Sequence, residues 1–446
     1  MTADRRPPTA GCPGGAGPQW ATASTGYSIS AVTGGAGWWR AAAFAARLIR
    51  RVRGAAGSRR AVAFAASLLV VAGCAEAPDA ADTVAVDTIA GVVHVSNPAD
   101  VPVWRAQEFV RIGATEAALG EPRPDELGRI ENVAVGPDGA VYVADAYAGV
   151  VQVFGPDDVY RRTIGRKGGG PGEIEALQGI GVVGDTLVVL DAGNGRVGLF
   201  TLDGEWEGRL PWLALSGDRI GVFPAGPTEG YYLGPVTEPG QSLRLEYLRL
   251  TTAGPAGSVP RPERPEGVPS GYIRCEFAGV VVGSYEIPFA PRLAFAPGPG
   301  AVMAVAWTSR YEVAFVVEGD TTRVVRKAYE QVPTTVDAFE AGLQEYRDAV
   351  ERFGRGDCDP ASPDRPEHKP AIAGILFDQE GRLVVERHTP DGTAFDLYDG
   401  AGRIRATVAA PPRHDDVPPY FRDDRLYVVV EDSLGAQQVV GYRLGP

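Results

Sequence analysis

The chain has 446 residues, of which 44% are apolar, so it is long enough to bury a large core. Its 58 glycines and 37 prolines favour many short strands joined by tight turns. Residues 1–73 contain nine arginines and one acid, whereas residues 74–446 contain 34 basic and 55 acidic residues. This acidic balance excludes nucleic-acid binding, because contacts to phosphates need clustered cations.

A signal sequence is indicated before Cys74. Arg59 and Arg60 precede an apolar run of 13 residues that ends in small side chains. That run is too short for a permanent membrane helix, which needs about 20 apolar residues. The ending Val-Ala-Gly-Cys74 resembles the bacterial lipobox, which implies that the Cys74 thiol is acylated and becomes the mature N-terminus. The alternative is a buried helix that ends in an incidental cysteine.

The segments around this signal have expected roles of their own. We expect residues 1–51 to be a non-structural leader, 52–73 the signal peptide and 74–86 the lipidated cysteine with a flexible tether. Met1 and Met303 are the only methionines, which favours a non-AUG start, for example at codon 52. Because Ala75 and not Asp follows the cysteine, we expect anchoring to the outer membrane of the cell envelope.

A pattern of about 40 residues recurs along residues 87–446. Its clearest copy, residues 130–164, has two alternating apolar runs joined by Pro-Asp-Gly, followed by two further short runs. Such a copy predicts four antiparallel strands, a to d. The other copies lie at 179–204, 219–258, 292–315, 371–402 and 420–442.

The last copy ends after strand c, and its missing strand d is found near the other end of the chain. Residues 109–130 match the connection at 163–180, so residues 109–113 correspond to a strand d. Pairing this strand into the last copy would close a ring and remove an exposed edge. The sequence therefore predicts an all-β fold, a six-bladed β-propeller closed by an N-terminal strand. An open β-sandwich is the alternative.

Two long connections interrupt the repeat. Residues 254–290 are rich in proline and contain Cys275. Residues 334–370, between the fourth and fifth blades, have apolar side chains at helical spacing from 336 to 353, a Thr334-x-x-Asp337 capping box, Gly354 and then Cys358. With Cys12 in the leader and Cys74 acylated, Cys275 and Cys358 are predicted to form a disulfide in an oxidising compartment. Two unpaired cysteines are the alternative.

Several motifs resemble known propellers. The strand ends Ala-Asp145 and Leu-Asp191, followed by Val-Gln-Val-Phe and Arg-Val-Gly-Leu-Phe, are similar to NHL-type repeats. The stretch Ile-Gly-Arg-Lys-Gly-Gly-Gly-Pro-Gly-Glu at 164–173, with Val-Ser-Asn-Pro at 95–98 and Trp104, resembles the six-bladed propeller lipoproteins of environmental and gut bacteria. That resemblance implies export, a lipid anchor and a propeller, but no known reaction.

The candidate site residues follow from this arrangement. In such propellers the d-to-a and b-to-c connections share one face, so Asp145, Asp191, Arg387 and His388 are expected there beside both long connections, as a small-ligand site. The alternative for each Asp is a hydrogen-bonding role in its turn. The loop of Arg166, Lys167 and three glycines could cradle an anion, or act only as a connector.

Two functions remain open. The first is a monomeric lipoprotein that binds a small ligand or a protein partner at this face without catalysis, metal or cofactor. The second is a propeller enzyme, a lyase or a hydrolase of lactones or glycans, that uses His388, Arg387 and acids. Histidines at 94, 368, 388 and 414 are too dispersed to indicate a metal cluster. A polar pocket with His388 and two acids would favour the enzyme.

Overall fold

The computed structural model describes most of the chain after the tether. The described residues are 83–114, 123, 125–212, 221–237, 242–264, 266, 268, 270–277, 280–353, 357–359 and 363–446. The expected leader, the signal peptide, Cys74 and most of the tether lie outside them.

Nearly all regular structure is β, as predicted, and most strands form four-stranded antiparallel units in chain order. The N-terminal strands are β1 (Ala85–Ile89), β2 (Val92–Asn97) and β3 (Val103–Ile112). Unit 1 contains β4 (Ile130–Val135), β5 (Val141–Asp145), β6 (Val150–Phe154) and β7 (Tyr160–Ile164). Unit 2 contains β8 (Leu177–Val183), β9 (Thr186–Asp191), β10 (Arg196–Thr201) and β11 (Trp206–Pro211). Unit 3 contains β12 (Val222–Pro224), β13 (Glu229–Val236), β14 (Arg244–Thr251) and β15 (Gly254–Pro260).

The remaining units continue this order. Unit 4 contains β18 (Leu293–Gly298), β19 (Val302–Trp307), β20 (Glu312–Val317) and β21 (Asp320–Lys327). Unit 5 contains β23 (Gly374–Phe377), β24 (Leu383–Thr389), β25 (Gly392–Tyr398) and β26 (Ile404–Ala409). Unit 6 contains β27 (Tyr420–Arg422), β28 (Arg425–Glu431), β29 (Gln437–Gly445) and the N-terminal β3.

Burial changes from the first strands of a unit to its last. β5 is buried on both faces, whereas the fourth strands β7 and β11 expose alternate or most side chains. The first strands of successive units lie against each other: β4 on β8, β8 on β12, β12 on β18, and β18 on β23. β27 in turn lies on β4. Inner strands with neighbours on both faces read as continuous apolar runs, which is why the repeat is visible in the sequence.

The N-terminal strand β3 completes unit 6. It runs antiparallel to β29, with Ile112 opposite Val439, in the place that the match at 109–113 predicts. Its first residues also pair in parallel with β26, where Val103 lies opposite Thr407. The hairpin of β1 and β2, which the repeat did not indicate, adds to the outer edge of unit 4, where β2 runs parallel to β21.

The two long connections pair with each other. The first contains the hairpin β16 (Tyr272–Phe277) and β17 (Val280–Glu286), and the second contributes β22 (Asp357–Asp359), which pairs with β16. Cys275 and Cys358 are opposite each other in this pairing and form the predicted disulfide. Ile273, Phe339, Leu343 and Tyr346 form a small apolar core beneath it.

The predicted single helix is wrong in one detail, because the segment folds as two helices, α1 (Val336–Gly342) and α2 (Gln344–Phe353). Gly342 lies where a Cβ would meet Pro288 at 2.8 Å, so the first connection packs against the break. The N-cap is Thr335, whose Oγ1 accepts from the Ala338 amide at 3.2 Å, and not Thr334. The backbone amide of Thr334 instead donates a hydrogen bond to the Glu367 carbonyl.

Candidate functional site

The loops divide between two faces because consecutive strands of a unit run in opposite directions. The upper face carries the turns between second and third strands and the connections between units, including both long connections. The lower face carries the other turns.

The lower face has a buried glutamine where several units converge. Gln379 follows β23 and is 1% exposed. Its Nε2 donates to the carbonyls of Val182 and Gly226 at 3.2 and 3.1 Å, and its Oε1 accepts from the Tyr420 hydroxyl at 2.6 Å. One side chain of unit 5 therefore contacts units 2, 3 and 6.

A cavity of about 220 Å³ also opens on the lower face, at the junction of units 1 and 6. It contains none of the residues predicted for the site. Its lining residues are Val135, Pro137, Asp138, Gly139, Pro156, Arg422, Asp423, Arg425 and Tyr427.

The upper face brings His388 together with both long connections. The pairing of β24 with β23 ends at Glu386, which lies opposite Gly374. Residues 387–389 of β24 extend beyond this point and have no partner on β23. The ring of His388 meets that of Phe289, from the first long connection, edge to face at 5.4 Å between centroids. The Nζ of Lys369, from the second long connection, lies 5.2 Å from the same Phe289 centroid. Three separate segments thus supply one aromatic and polar cluster, which we call the His388 cluster.

The carboxylates near this cluster already have partners. Glu386 pairs with Arg413 at 2.6 Å, and Glu286 pairs with Arg292 at 2.6 Å. Arg292 also donates to the Ala373 carbonyl at 3.1 Å, which ties unit 4 to unit 5. Among the described residues, no hydrogen bond or ion pair joins Lys369 to a carboxylate, and its ammonium lies over the Phe289 ring.

Burial, followed by the charge of Lys369, lowers the pKa of His388 to about 4. Arg292 lowers it further, while Glu386 acts in the opposite direction. The imidazole is therefore neutral at neutral pH, where it offers one hydrogen-bond donor and one acceptor.

Arg387 points to the opposite face of β24, into a buried polar cluster between units 4 and 5. Its Nε lies 3.2 Å from Asp396 Oδ2, and Asp396 is completely buried. Lys327 Nζ contacts the same carboxylate at 3.0 Å, and the Tyr311 hydroxyl donates to it at 2.6 Å. The Thr407 hydroxyl also donates a hydrogen bond to Asp396. Two cations share a single carboxylate, so this cluster carries a net positive charge.

Burial sets the protonation states in this buried cluster. It lowers the pKa of Lys327 even though Asp396 raises it. It also raises the pKa of Tyr311 well above its ordinary value. Tyr311 and Lys327 are buried in this way beside Asp396, so these groups join units 4 and 5 and do not face a ligand.

Asp145 and Asp191 lie at their strand ends on the upper face, as expected, but both are nearly fully buried and hydrogen-bonded. Asp145 accepts from the amides of Gly128 and Ala148, both at 3.0 Å. Among the described residues, no hydrogen bond or ion pair links either aspartate to Arg387 or His388. The contacts of both aspartates are those expected under the alternative in which each Asp forms hydrogen bonds that shape its turn.

Asp191 also accepts hydrogen bonds from backbone amides, and it has more partners than Asp145. It accepts from the Glu175 and Ala176 amides at 3.1 Å and from Arg196 Nε at 3.2 Å. Arg196 in turn donates to the Gly170 and Glu173 carbonyls, at 2.9 and 2.7 Å. Asp191 therefore fixes the glycine loop through Arg196.

The glycine loop after β7 holds a carboxylate of its own chain. Glu173 Oε2 accepts from the Gly170 amide at 2.7 Å, and Arg166 Nε donates to Glu173 Oε1 at 2.9 Å. Lys167 forms an isolated parallel bridge with Ile174. Because Glu173 occupies the place expected for an anion, these contacts fit the connector alternative.

Sequence reasoning missed Phe289, Lys369, Lys327 and Asp396. Phe289 and Lys369 lie in the two connections that interrupt the repeat, so no aligned copy places them. One signal was available. The chain has 43 basic residues, of which only Lys167, Lys327 and Lys369 are lysine, and two of these three lie at the junction of units 4 and 5.

The described residues contain no helix long and apolar enough to cross a membrane. They also contain no group of three or more His, Cys, Asp or Glu side chains arranged to hold a metal ion.

No family model matches the chain, and no curated protein matches its sequence. Among solved structures, a protein of Bacteroides fragilis is 12% identical over 79% of this chain and 99% of its own, with a TM-score of 0.41. A member of the DUF4221 family from Bacteroides vulgatus is 8% identical over 78% and 99%, with a TM-score of 0.40. Virginiamycin B lyase from Staphylococcus aureus is 10% identical over 76% and 99%, with a TM-score of 0.33. At these values the similarities assign neither a family nor an activity.

Proposed function

We propose that this protein is an exported lipoprotein, anchored through Cys74, whose six units are the blades of a β-propeller that binds a small ligand on its upper face without catalysis. The order of the units supports the propeller. The first strands of units 1 to 5 lie against one another in chain order, the first strand of unit 6 lies against that of unit 1, and the N-terminal β3 completes unit 6.

The observation that carries the binding role is the His388 cluster. Phe289 and Lys369 come from two different connections and converge on His388. The disulfide between Cys275 and Cys358 and the β16–β22 pairing hold these connections together. Small-molecule sites combine aromatic side chains with a small number of placed polar groups, as this cluster does.

The protonation state of His388 supports binding over catalysis. A general acid or base works best when its pKa is near the operating pH. The pKa of His388 is lowered to about 4, mainly by burial, so at neutral pH it is neutral and a weak base. The nearby Glu386 is already paired with Arg413. The group therefore fits hydrogen bonding to a ligand better than proton transfer.

The binding role can be tested by native mass spectrometry of the mature protein, together with thermal shifts against a metabolite library. The wild type should retain or select small molecules that His388→Ala and Phe289→Ala both lose. Asp138→Ala, in the lower-face cavity, is the matched control and should behave as the wild type. Loss of the ligand in the Asp138 variant alone would move the site to the lower face.

The anchor is tested separately. Cys74→Ser should give a protein that no longer partitions into the detergent phase and has no acyl mass, whereas Cys12→Ser should be unaffected. Continued membrane association of the Cys74 variant without acylation would contradict the lipobox interpretation.

A further inference from the structure

We propose that the ligand of the upper face is a small organic monocarboxylate, whose carboxylate binds Lys369 and His388 and whose apolar body lies on Phe289. This inference rests on the proposed binding function and names the chemical class of its ligand.

The geometry of the three side chains supports it. Lys369 Nζ and the His388 ring lie 5.2 and 5.4 Å from the centroid of the same phenyl ring. A carboxylate between the ammonium and the imidazole would accept charge-assisted hydrogen bonds from Lys369 and a further bond from the neutral His388 N–H. The apolar body of such a ligand would then lie beside the Phe289 ring, which both polar groups contact.

The surrounding charge favours an anion. Residues 74–446 contain 55 acids and 34 bases, yet the charge at this junction is positive. The nearby Glu386 and Glu286 are each matched by an arginine, and Lys369 is not matched by a carboxylate among the described residues. The positive charges of Lys369 and Arg292 also act on His388, since both lower its pKa. A local positive field in an acidic protein concentrates anions.

The number of charges selects a monoanion. Arg292 and Arg413 are already engaged with carboxylates, so Lys369 is the cation at this cluster that a ligand can neutralise. One ammonium and one neutral imidazole match one carboxylate. A doubly charged phosphate would leave a negative charge beside Glu386 and Glu286 without a further partner, which is costly at a half-buried site.

The test uses four probes on the full mature protein at constant ionic strength: benzoate, benzyl alcohol, benzylammonium and inorganic phosphate. Binding is measured by calorimetry and by the imidazole NMR signals of His388. Benzoate should bind at least about 10-fold more tightly than the other three, and its binding should raise the pKa of His388 because the carboxylate offsets the charge of Lys369.

Lysine variants separate charge from shape. Lys369→Met should remove the preference for benzoate over benzyl alcohol while benzyl alcohol still binds. Lys369→Arg keeps the charge and should keep most of the preference, and Lys167→Met on the distant glycine loop should change nothing. An unchanged preference in Lys369→Met would overturn the assignment of the carboxylate to this residue.

Other outcomes separate this inference from the binding function itself. Equal or tighter binding of benzyl alcohol or benzylammonium would overturn the anionic class and leave the upper-face site standing. Preference for phosphate would overturn the monocarboxylate. If benzoate does not bind while a metabolite still depends on His388 and Phe289, the ligand class proposed here is wrong and the binding function is not. If no ligand depends on those two residues, both fail.

Discussion

The side-chain amide of Gln379 in unit 5 donates to the carbonyl of Val182 in unit 2, 197 residues earlier in the chain. The same amide donates to Gly226 in unit 3, and its oxygen accepts from Tyr420 in unit 6. Four units therefore meet at one buried side chain, as expected near the axis of the proposed propeller.

Replacing Gln379 by Leu, which has a similar volume, should lower the free energy of unfolding by about 3 kcal/mol. The substitution leaves the Val182 and Gly226 carbonyls and the Tyr420 hydroxyl without this partner, and each buried unpaired group costs about 1–3 kcal/mol. Urea unfolding of the wild type and of the Gln379→Leu variant would measure this loss of stability. Gln107→Leu on the exposed side of β3 is the control, and equal midpoints for the two variants would contradict the role given to Gln379.

Much of the β architecture could be predicted because its signals are local. Alternating apolar runs and Pro-Asp-Gly turns identify the strands of unit 1, and the match of residues 109–113 to another strand d identifies β3. The disulfide followed from the compartment and from counting the cysteines. Each of these predictions needed only short stretches or spacing.

The rest depends on contacts that have no local signal. The hairpin of β1 and β2 lies on β21, more than 200 residues away. The helix break at Gly342 reflects its approach to Pro288. The candidate site was only half predicted, because His388 lies in a repeat and could be aligned, whereas Phe289 and Lys369 lie outside every repeat.

Asp396 should be among the most sensitive positions for stability. Asp396→Asn leaves the cations Lys327 and Arg387 without a carboxylate, and breaking a buried ion pair from one side costs about 3–5 kcal/mol. Asp391→Asn, in the exposed turn after β24, should change stability by less than about 0.5 kcal/mol. Adding Lys327→Met to Asp396→Asn should recover part of the loss in thermal unfolding. No recovery would show that the charge of Lys327 is not the cause.

His388 should make the protein less stable at low pH. Its pKa is about 4 in the folded protein, against an ordinary value of 6.5. Between these values the unfolded chain binds a proton that the folded chain does not, so the free energy of unfolding falls as the pH drops from 6.5 to 4. The loss is at most about 3 kcal/mol. His388→Gln should flatten this part of the pH profile, and parallel profiles for wild type and His388→Gln would exclude the linkage.

Reduction of the disulfide between Cys275 and Cys358 should loosen the two long connections before the units unfold. In the chain-entropy model, closing this loop contributes about 4 kcal/mol. Limited proteolysis with and without reductant should place the first new cuts between Pro260 and Leu293 or between Lys327 and Gly374. First cuts within unit 1 or unit 2 would argue against a local role for the bridge. Cys275→Ser with Cys358→Ser should reproduce the reduced pattern without reductant.

The N-terminal strand β3 should be essential, whereas the residues before β1 should not. A chain that begins at Val84 keeps all three N-terminal strands and should unfold at nearly the same temperature as the mature protein. A chain that begins at Ala114 loses Val110 and Ile112, whose full burial contributes about 3–6 kcal/mol together. It also leaves β29 as an unpaired edge, which favours aggregation.

Size-exclusion chromatography and thermal unfolding of these two chains test whether β3 is essential. A synthetic peptide of residues 100–113 should restore a monomer to the chain that begins at Ala114, because it supplies the missing partner of β29, as in strand addition to other sheet edges. A scrambled peptide of the same composition should not. Equal stability of the two truncated chains, or equal rescue by both peptides, would show that the pairing of Ile112 with Val439 does not complete unit 6.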